Sequence, residues 1–378
     1  MMYMIKETVE KQKAAILQTY KDLHNIPEWG YEEVKTSAYI KEHLEAKGIT
    51  VKRVTDTGLV AEVDSGKKGP CVGLRADIDA LPFVNEKGET HYIHACGHDS
   101  HVTMAMWTLM FMKELGLVKK GKIRVIFQPA EEKLTGAKSM IKAGAAVGMD
   151  EFYGVHIRPI QELAYGKAAP AVWHGGATQA EVIIHGQTCH GARPHLGANA
   201  IDGAALAILG INSIWLNPSD PWSAKVTRIH SGGSIINQIP DKAVLSMDIR
   251  AATNALMDEL MGKIRKAIKG GAEAAGCTAE LNIIGDVPAS DYDPECIKAV
   301  AEAISEVLGA DNLAKEIVTP GSDDFHEYKK ADPKLKTGFL ALGSDAAPGL
   351  HAPNMCFNTD AIITGVEILV TALSKRVE

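Results

Sequence analysis

Short apolar runs that alternate with amphipathic helical stretches constrain this chain more than any other feature, because that alternation stacks helices against a sheet. The runs VKRV (51–54), LVAEV (59–63), CVGLRADIDAL (71–81) and KIRVIFQ (122–128) have strand length, and helical spacing fills the intervals around 5–23, 32–47 and 100–115. Ile5, Val9, Ile16, Tyr20 and Leu23, for example, return to one helix face. This order predicts an α/β domain with a mostly parallel central sheet. From about residue 175 the order becomes strand, helix, two strands, helix, strand: AEVIIHGQ, AIDGAALAILGINSIW, AKVTRIHSGGS, KAVLSMDIR, a helix with Leu256, Leu260, Ile264 and Ile268, and AELNIIG. That is the ferredoxin-like α+β order. After 290 the first pattern resumes and ends in a helix capped by Thr359 and carrying Ile362, Val366, Leu369 and Leu373. The expected organisation is one α/β domain built from residues 1–174 and 290–378, interrupted by an inserted unit over 175–289.

Composition excludes several classes of function. The chain has 378 residues, and 47 acidic against 40 basic side chains give a net charge of −7. Nucleic-acid binding would call for a basic excess, so no nucleic-acid partner is expected. No apolar run reaches the length of a membrane span, and the first residues, MMYMIKETVE, lack the apolar core of a signal peptide. Six cysteines scattered through a long chain fit reduced thiols, so the expected location is cytoplasmic, with no membrane partner.

The 14 histidines are unevenly placed, with four between His91 and His101. In HACGHDSH, one glycine separates Cys96 from His98, so an extended segment would direct both side chains to the same side. Asp99 or Ser100 is placed to cap the next helix, and a cysteine near a helix N-terminus beside a cation is expected to have a lowered pKa. The plain alternative is a buried cysteine beside surface histidines. In FQPAEE, proline ends an apolar strand and leaves Glu131 and Glu132 at its carboxyl end, where α/β proteins place their sites; a solvated loop is the alternative. His156 and His351 each follow a strand-like stretch. Cys96, His98, Glu132, His156 and His351 together are enough for one or two divalent transition-metal ions, and the mixed thiolate, imidazole and carboxylate set suits Zn, Mn, Co or Ni. A Cys96 nucleophile with His98 as base is the metal-free alternative.

Eight segments appear in the order of the M20 metallopeptidase family: RADIDALP (75–82), HACGHDSH (94–101), FQPAEE (127–132), GVH (154–156), HGARPHLGANAI (190–201), INQIPD (236–241), GSDDF (321–325) and GLHAP (349–353). The chain resembles the family's amidohydrolase and aminoacylase branch over nearly its whole length. The resemblance implies metal ligands at Cys96, His98, Glu132, His156 and His351, with Glu131 as general base toward a metal-activated water. It implies that 175–289 is a lid or dimerisation domain whose His190 stabilises the oxyanion, and that the protein is a homodimer. Asn237 and Arg250 match substrate-carboxylate anchors. Asp77 is expected to support a ligand histidine, or else to pair with Arg75 on its own strand face. The implied substrate is an N-acyl or N-acetyl amino acid; a dipeptidase or aminopeptidase using the same centre is the runner-up, and a scaffold without catalysis is disfavoured by Glu131. Lys133 stands where the family often has glycine, and Asn354, Met355 and Asn358 where it often has acids.

Overall fold

Strand Cys71–Asp77 is buried along its whole length, as expected for a strand covered on both sheet faces. The computed structural model describes all 378 residues. The chain divides into two units, one comprising Met1–Trp173, Asp291–Val318 and Asp323–Glu378, the other His174–Ser290 and Thr319–Ser322.

The first unit is built on a seven-stranded sheet. Its order is Thr50–Arg53, Leu59–Asp64, Lys122–Gln128, Cys71–Asp77, Glu151–Pro159, Lys336–Ala346 and Ala168–Ala169. The four middle strands run parallel, whereas both edges are antiparallel, so the sheet is mixed rather than mostly parallel. For the outermost pair the reason lies in connection length: the first two strands are joined by a tight turn in which Val54 N donates to Gly58 O, and a parallel pair needs a long crossover. Helix His98–Glu114 is buried almost all round, packed against strand Cys71–Asp77 and helices Met2–His24 and Asp360–Arg376. Ile362, Val366, Leu369 and Leu373 face this core as their spacing predicts. Thr359 occupies the cap position of their helix, but its side chain makes no capping hydrogen bond.

The second unit is a four-stranded antiparallel sheet, ordered Trp222–Ser231, Lys242–Ala251, Gly176–His185 and Thr278–Val287. Helices Ala200–Asn212 and Asn254–Ala274 pack on it through one apolar cluster that includes Leu256, Leu260, Ile264 and Ile268. Both helices are capped: Asn199 accepts from Ile201 N and Thr253 from Leu256 N.

Candidate metal centre

The centre is assembled where the parallel strands of the first unit end. Gly97 adopts φ +83°, and a Cβ there would lie 2.4 Å from Ile157 Cδ1, so only glycine serves at this turn. Cys96 lies before the turn and His98 is the first residue of the helix after it. Their side chains converge through a left-handed turn, not through an extended segment. Gly97 is the cap residue; Asp99 and Ser100 bond locally, Ser100 N to Asp99 Oδ1 and Ser100 Oγ to Gly97 O.

The paired glutamates sit on a loop held in an unusual shape. Ala130 and Leu134 have φ +53° and +55°, a conformation that costs non-glycine residues about 1–3 kcal/mol and collects at functional sites. Ala130 N donates to Glu33 Oε1 at 2.9 Å, Glu132 N to Asp79 Oδ2 at 3.0 Å and Ala137 N to Asp324 Oδ2 at 2.9 Å. His351, also at positive φ (66°), is fixed by its N–H donating to Ala95 O.

These elements bring together all five expected ligands and Glu131. Cys96 Sγ is 3.4 Å from His156 Nε2, and Glu132 Oε1 is 3.4 Å from His351 Nε2 and 3.8 Å from His98 Nε2. Glu131 Oε2 lies 4.0 Å from the same His98 nitrogen. Donor atoms of Cys96, His98 and His156, of Cys96, Glu132 and His351, and of His98, Glu131 and Glu132 each fall within 4.8 Å of one another. His98 Nδ1 faces two acceptors, Asp79 O at 3.0 Å and Asp79 Oδ1 at 3.1 Å, so it carries a proton and Nε2 is the nitrogen turned to the other donors. Against the opposition of burial, the Asp77 charge raises the ring's pKa well above its ordinary value, and a bound cation would take the place of the Nε2 proton. That buried Nε2 has no hydrogen-bond partner, and neither has Glu132 Oε1. Buried polar atoms without partners are costly, and a thiol, imidazoles and a carboxylate converging around two of them fit a transition-metal ion.

Electrostatics corrects one expectation. Burial, joined by the Glu132 charge, pushes the Cys96 thiol well above its ordinary value instead of lowering it. Burial also pushes the Glu131 carboxyl well up, helped by Asp323, Glu132 and Asp324. Burial and the neighbouring His101 and Arg158 hold His156 well down, so its ring is neutral. A cation among these groups would favour thiolate and carboxylate.

Of the two parts expected of Asp77, the pairing with Arg75 is the one it takes. Its carboxylate pairs with Arg75 at 2.6 Å and accepts from His101 Nδ1 at 2.7 Å, while His98 Nε2 stays 3.6 Å away. The residue that holds a ligand ring is Asp79, two positions on. His101 Nε2 in turn accepts the N–H of Ile157 at 3.1 Å, bracing the strand that carries His156. Beneath Glu131, fully buried Arg75 gathers Asp77, Asp323 (3.1 Å) and Asp324 (2.9 Å), and burial pushes Asp324 up to about 7. Asp79, Asp323 and Asp324 carry no signal of this role in the sequence beyond lying inside the motifs RADIDALP and GSDDF, and His101, a histidine that the sequence leaves between site and packing roles, supports the site from behind.

In the second unit, His190 lies on the short strand Cys189–His190, paired with Gln238–Ile239. Its Nδ1 accepts from Ala192 N at 3.1 Å, and its Nε2 is 3.3 Å from Asn237 Nδ2. Arg250 lies on strand Lys242–Ala251 with its guanidinium on Asp248, two contacts of 3.0 Å.

Residues 73–375 match the model of peptidase family M20/M25/M40. The chain belongs to this family. The M20 relatives include N-acetylcysteine deacetylase of Bacillus subtilis (strain 168), 30% identical over 92% of this chain and 93% of that protein. IAA-amino acid hydrolase ILR1-like 2 of Arabidopsis thaliana is also 30% identical, over 92% and 82%. Among solved M20 structures, the Bacillus subtilis YXEP protein, described as a dinuclear metal binding peptidase, superimposes with a TM-score of 0.80 at 26% identity, covering 97% of this chain and 98% of that one. The protein is thus an M20 hydrolase with the family's mixed α/β fold.

Proposed function

We propose that this M20 hydrolase is a metal-dependent amidohydrolase that cleaves N-acyl amino acids, N-acetyl amino acids among them, to a carboxylate and a free amino acid. The observation that carries the reading is Glu131: a carboxylate additional to the five ligand residues, buried beside them and 4.0 Å from His98 Nε2. A pure binding site has no use for it. The names of the deacetylase and amino acid hydrolase relatives support the same class.

Cys96, His98, Glu132, His156 and His351 would hold one or two divalent ions. A bound ion of this kind lowers the pKa of water from about 15.7 to about 7, which eases its deprotonation by about 12 kcal/mol. Glu131 takes the proton of the attacking water and returns it to the leaving amine nitrogen, so that the C–O bond forms and the C–N bond breaks without net proton change. His190 is assigned to the developing oxyanion, to which its Nε2, now 3.3 Å from Asn237 Nδ2, would donate when it carries the proton. Asn237 and Arg250 are assigned to the substrate carboxylate, Arg250 by exchanging Asp248 for it. We assign residues 175–289 to the pairing of two copies, and the protein to the cytoplasm; no helix is long and apolar enough to cross a membrane.

The test is metal analysis of purified protein together with hydrolysis of a panel of N-acyl amino acids. Bound Zn, Mn, Co or Ni and chelator-sensitive release of amino acid are expected. Absence of both after adding each metal would overturn the proposal. An N-acetyl amino acid assayed beside the matching dipeptide separates this activity from the peptidase suggested by the name of the YXEP relative.

A further inference from the structure

Lys133 follows the paired glutamates directly, and the hydrolytic chemistry leaves it without a task. Its Nζ lies 2.6 Å from Gly30 O, 4.7 Å from the centroid of the Trp29 ring and 5.4 Å from that of Tyr31. Two loops meet here: a Cβ on Gly30 would lie 2.8 Å from Ala130 Cα, and the Tyr31 hydroxyl donates to Thr135 Oγ1 at 2.8 Å. Trp29 bridges to Ala80, next to Asp79. The ammonium is therefore fixed between its own loop, where it is one residue from Glu132, and the Trp29–Tyr31 segment, which bridges to the turn that carries Asp79.

No carboxylate of the chain pairs with it. Glu28, next in sequence to Trp29, is occupied with Lys35 N, Thr36 N and Thr36 Oγ1. The segment after ligand His351, residues 352–358, contains no acidic side chain. An ammonium offers three donors; Gly30 O takes one, and the aromatic faces stabilise the charge without accepting the rest. A half-buried cation with donors to spare, immobilised beside a hydrolytic site, has the properties of an anion anchor.

We propose that Lys133 is a specificity-determining residue that binds a carboxylate of the substrate, a proposal that rests on the amidohydrolase reading above. Two halves of an N-acyl amino acid can present that group: the amino acid through its α-carboxylate, or a dicarboxylic acyl group such as succinyl through its second carboxylate.

Two substrate pairs on metal-loaded enzyme test this. N-succinyl-alanine against N-succinamoyl-alanine isolates the acyl carboxylate, and N-acetyl-alanine against N-acetyl-alaninamide isolates the α-carboxylate. In the wild type, the carboxylate member of at least one pair is expected to lead in kcat/KM by about tenfold or more, the usual worth of a charge-assisted hydrogen bond. Lys133→Met should collapse that ratio, mainly through KM, and Lys133→Arg should keep most of it. The responding pair identifies the half that is read. Ratios unchanged in Lys133→Met would make Lys133 a mere staple between loops and overturn the proposal. A binding arm is independent of turnover: succinate titrated calorimetrically onto the metal-loaded protein should bind more weakly to Lys133→Met than to wild type, and equal affinities overturn the proposal. Weaker succinate binding in a protein that hydrolyses none of the four substrates would instead overturn the amidohydrolase reading and leave the anion anchor standing.

Discussion

Asp79 and His98 are joined at two points: the imidazole Nδ1 lies 3.1 Å from the Asp79 carboxylate and 3.0 Å from its carbonyl oxygen. The other carboxylate oxygen accepts the N–H of Glu132, so one side chain sets both a ring and the loop opposite it. Removing such a partner typically weakens metal binding by about 10–100-fold. Asp79→Ala should show that loss in a metal titration while its far-ultraviolet circular dichroism stays that of the wild type. Wild-type affinity in the variant would remove Asp79 from the centre.

Glu131→Gln keeps the shape of the side chain and removes its capacity to carry a proton. General-base catalysis typically contributes about 10²–10⁴-fold, so kcat should fall by that order with metal content unchanged. Elemental analysis and turnover on the same preparation check both halves of the statement. Retained activity refutes the role of Glu131, and lost metal makes Glu131 a ligand.

What the sequence disclosed follows from the range of each signal. Cys96, His98, Glu131 and Glu132 were legible because they lie within a few residues of a strand end or helix start, where local pattern places side chains. The inward faces of helices Asn254–Ala274 and Asp360–Arg376 were legible for the same reason. Asp77 and Asp79 share a strand face by alternation, and nothing local decides which of them reaches His98; the strand ends at Asp77, and the turn beyond it delivers Asp79. Arg75 and Asp324 meet across 249 positions, a pairing that no periodicity encodes. The Cys96 thiol was misjudged because proximity to a helix start is visible in sequence and complete burial is not. The antiparallel edges of the sheet depend on which strands pair, again a long-range matter.

Arg75 pairs with three buried carboxylates, those of Asp77, Asp323 and Asp324. Breaking a buried ion pair from one side commonly costs about 3–5 kcal/mol because the partner stays buried and uncompensated. Arg75→Met should therefore destabilise the first unit by that order in urea denaturation. A loss under about 1 kcal/mol would mean that the carboxylates share protons without needing the guanidinium.

Buried His326 gives the stability a pH dependence of known sign. Burial holds its pKa at about 4 against the partial opposition of Asp323, whereas an unfolded histidine titrates near about 6.5. The unfolded chain thus takes up the proton first, and this contribution to stability is complete above about pH 6.5 and lost progressively as the pH falls toward about 4. At pH 5 the loss amounts to about 2 kcal/mol, at about 1.36 kcal/mol per pH unit. Other groups titrate in the same range, so the measurement is a difference: urea denaturation of wild type and His326→Phe at pH 7.5 and pH 5. The wild type should lose about 2 kcal/mol more than the variant over that interval. Equal losses would mean that His326 becomes protonated within the folded protein as readily as in the unfolded chain.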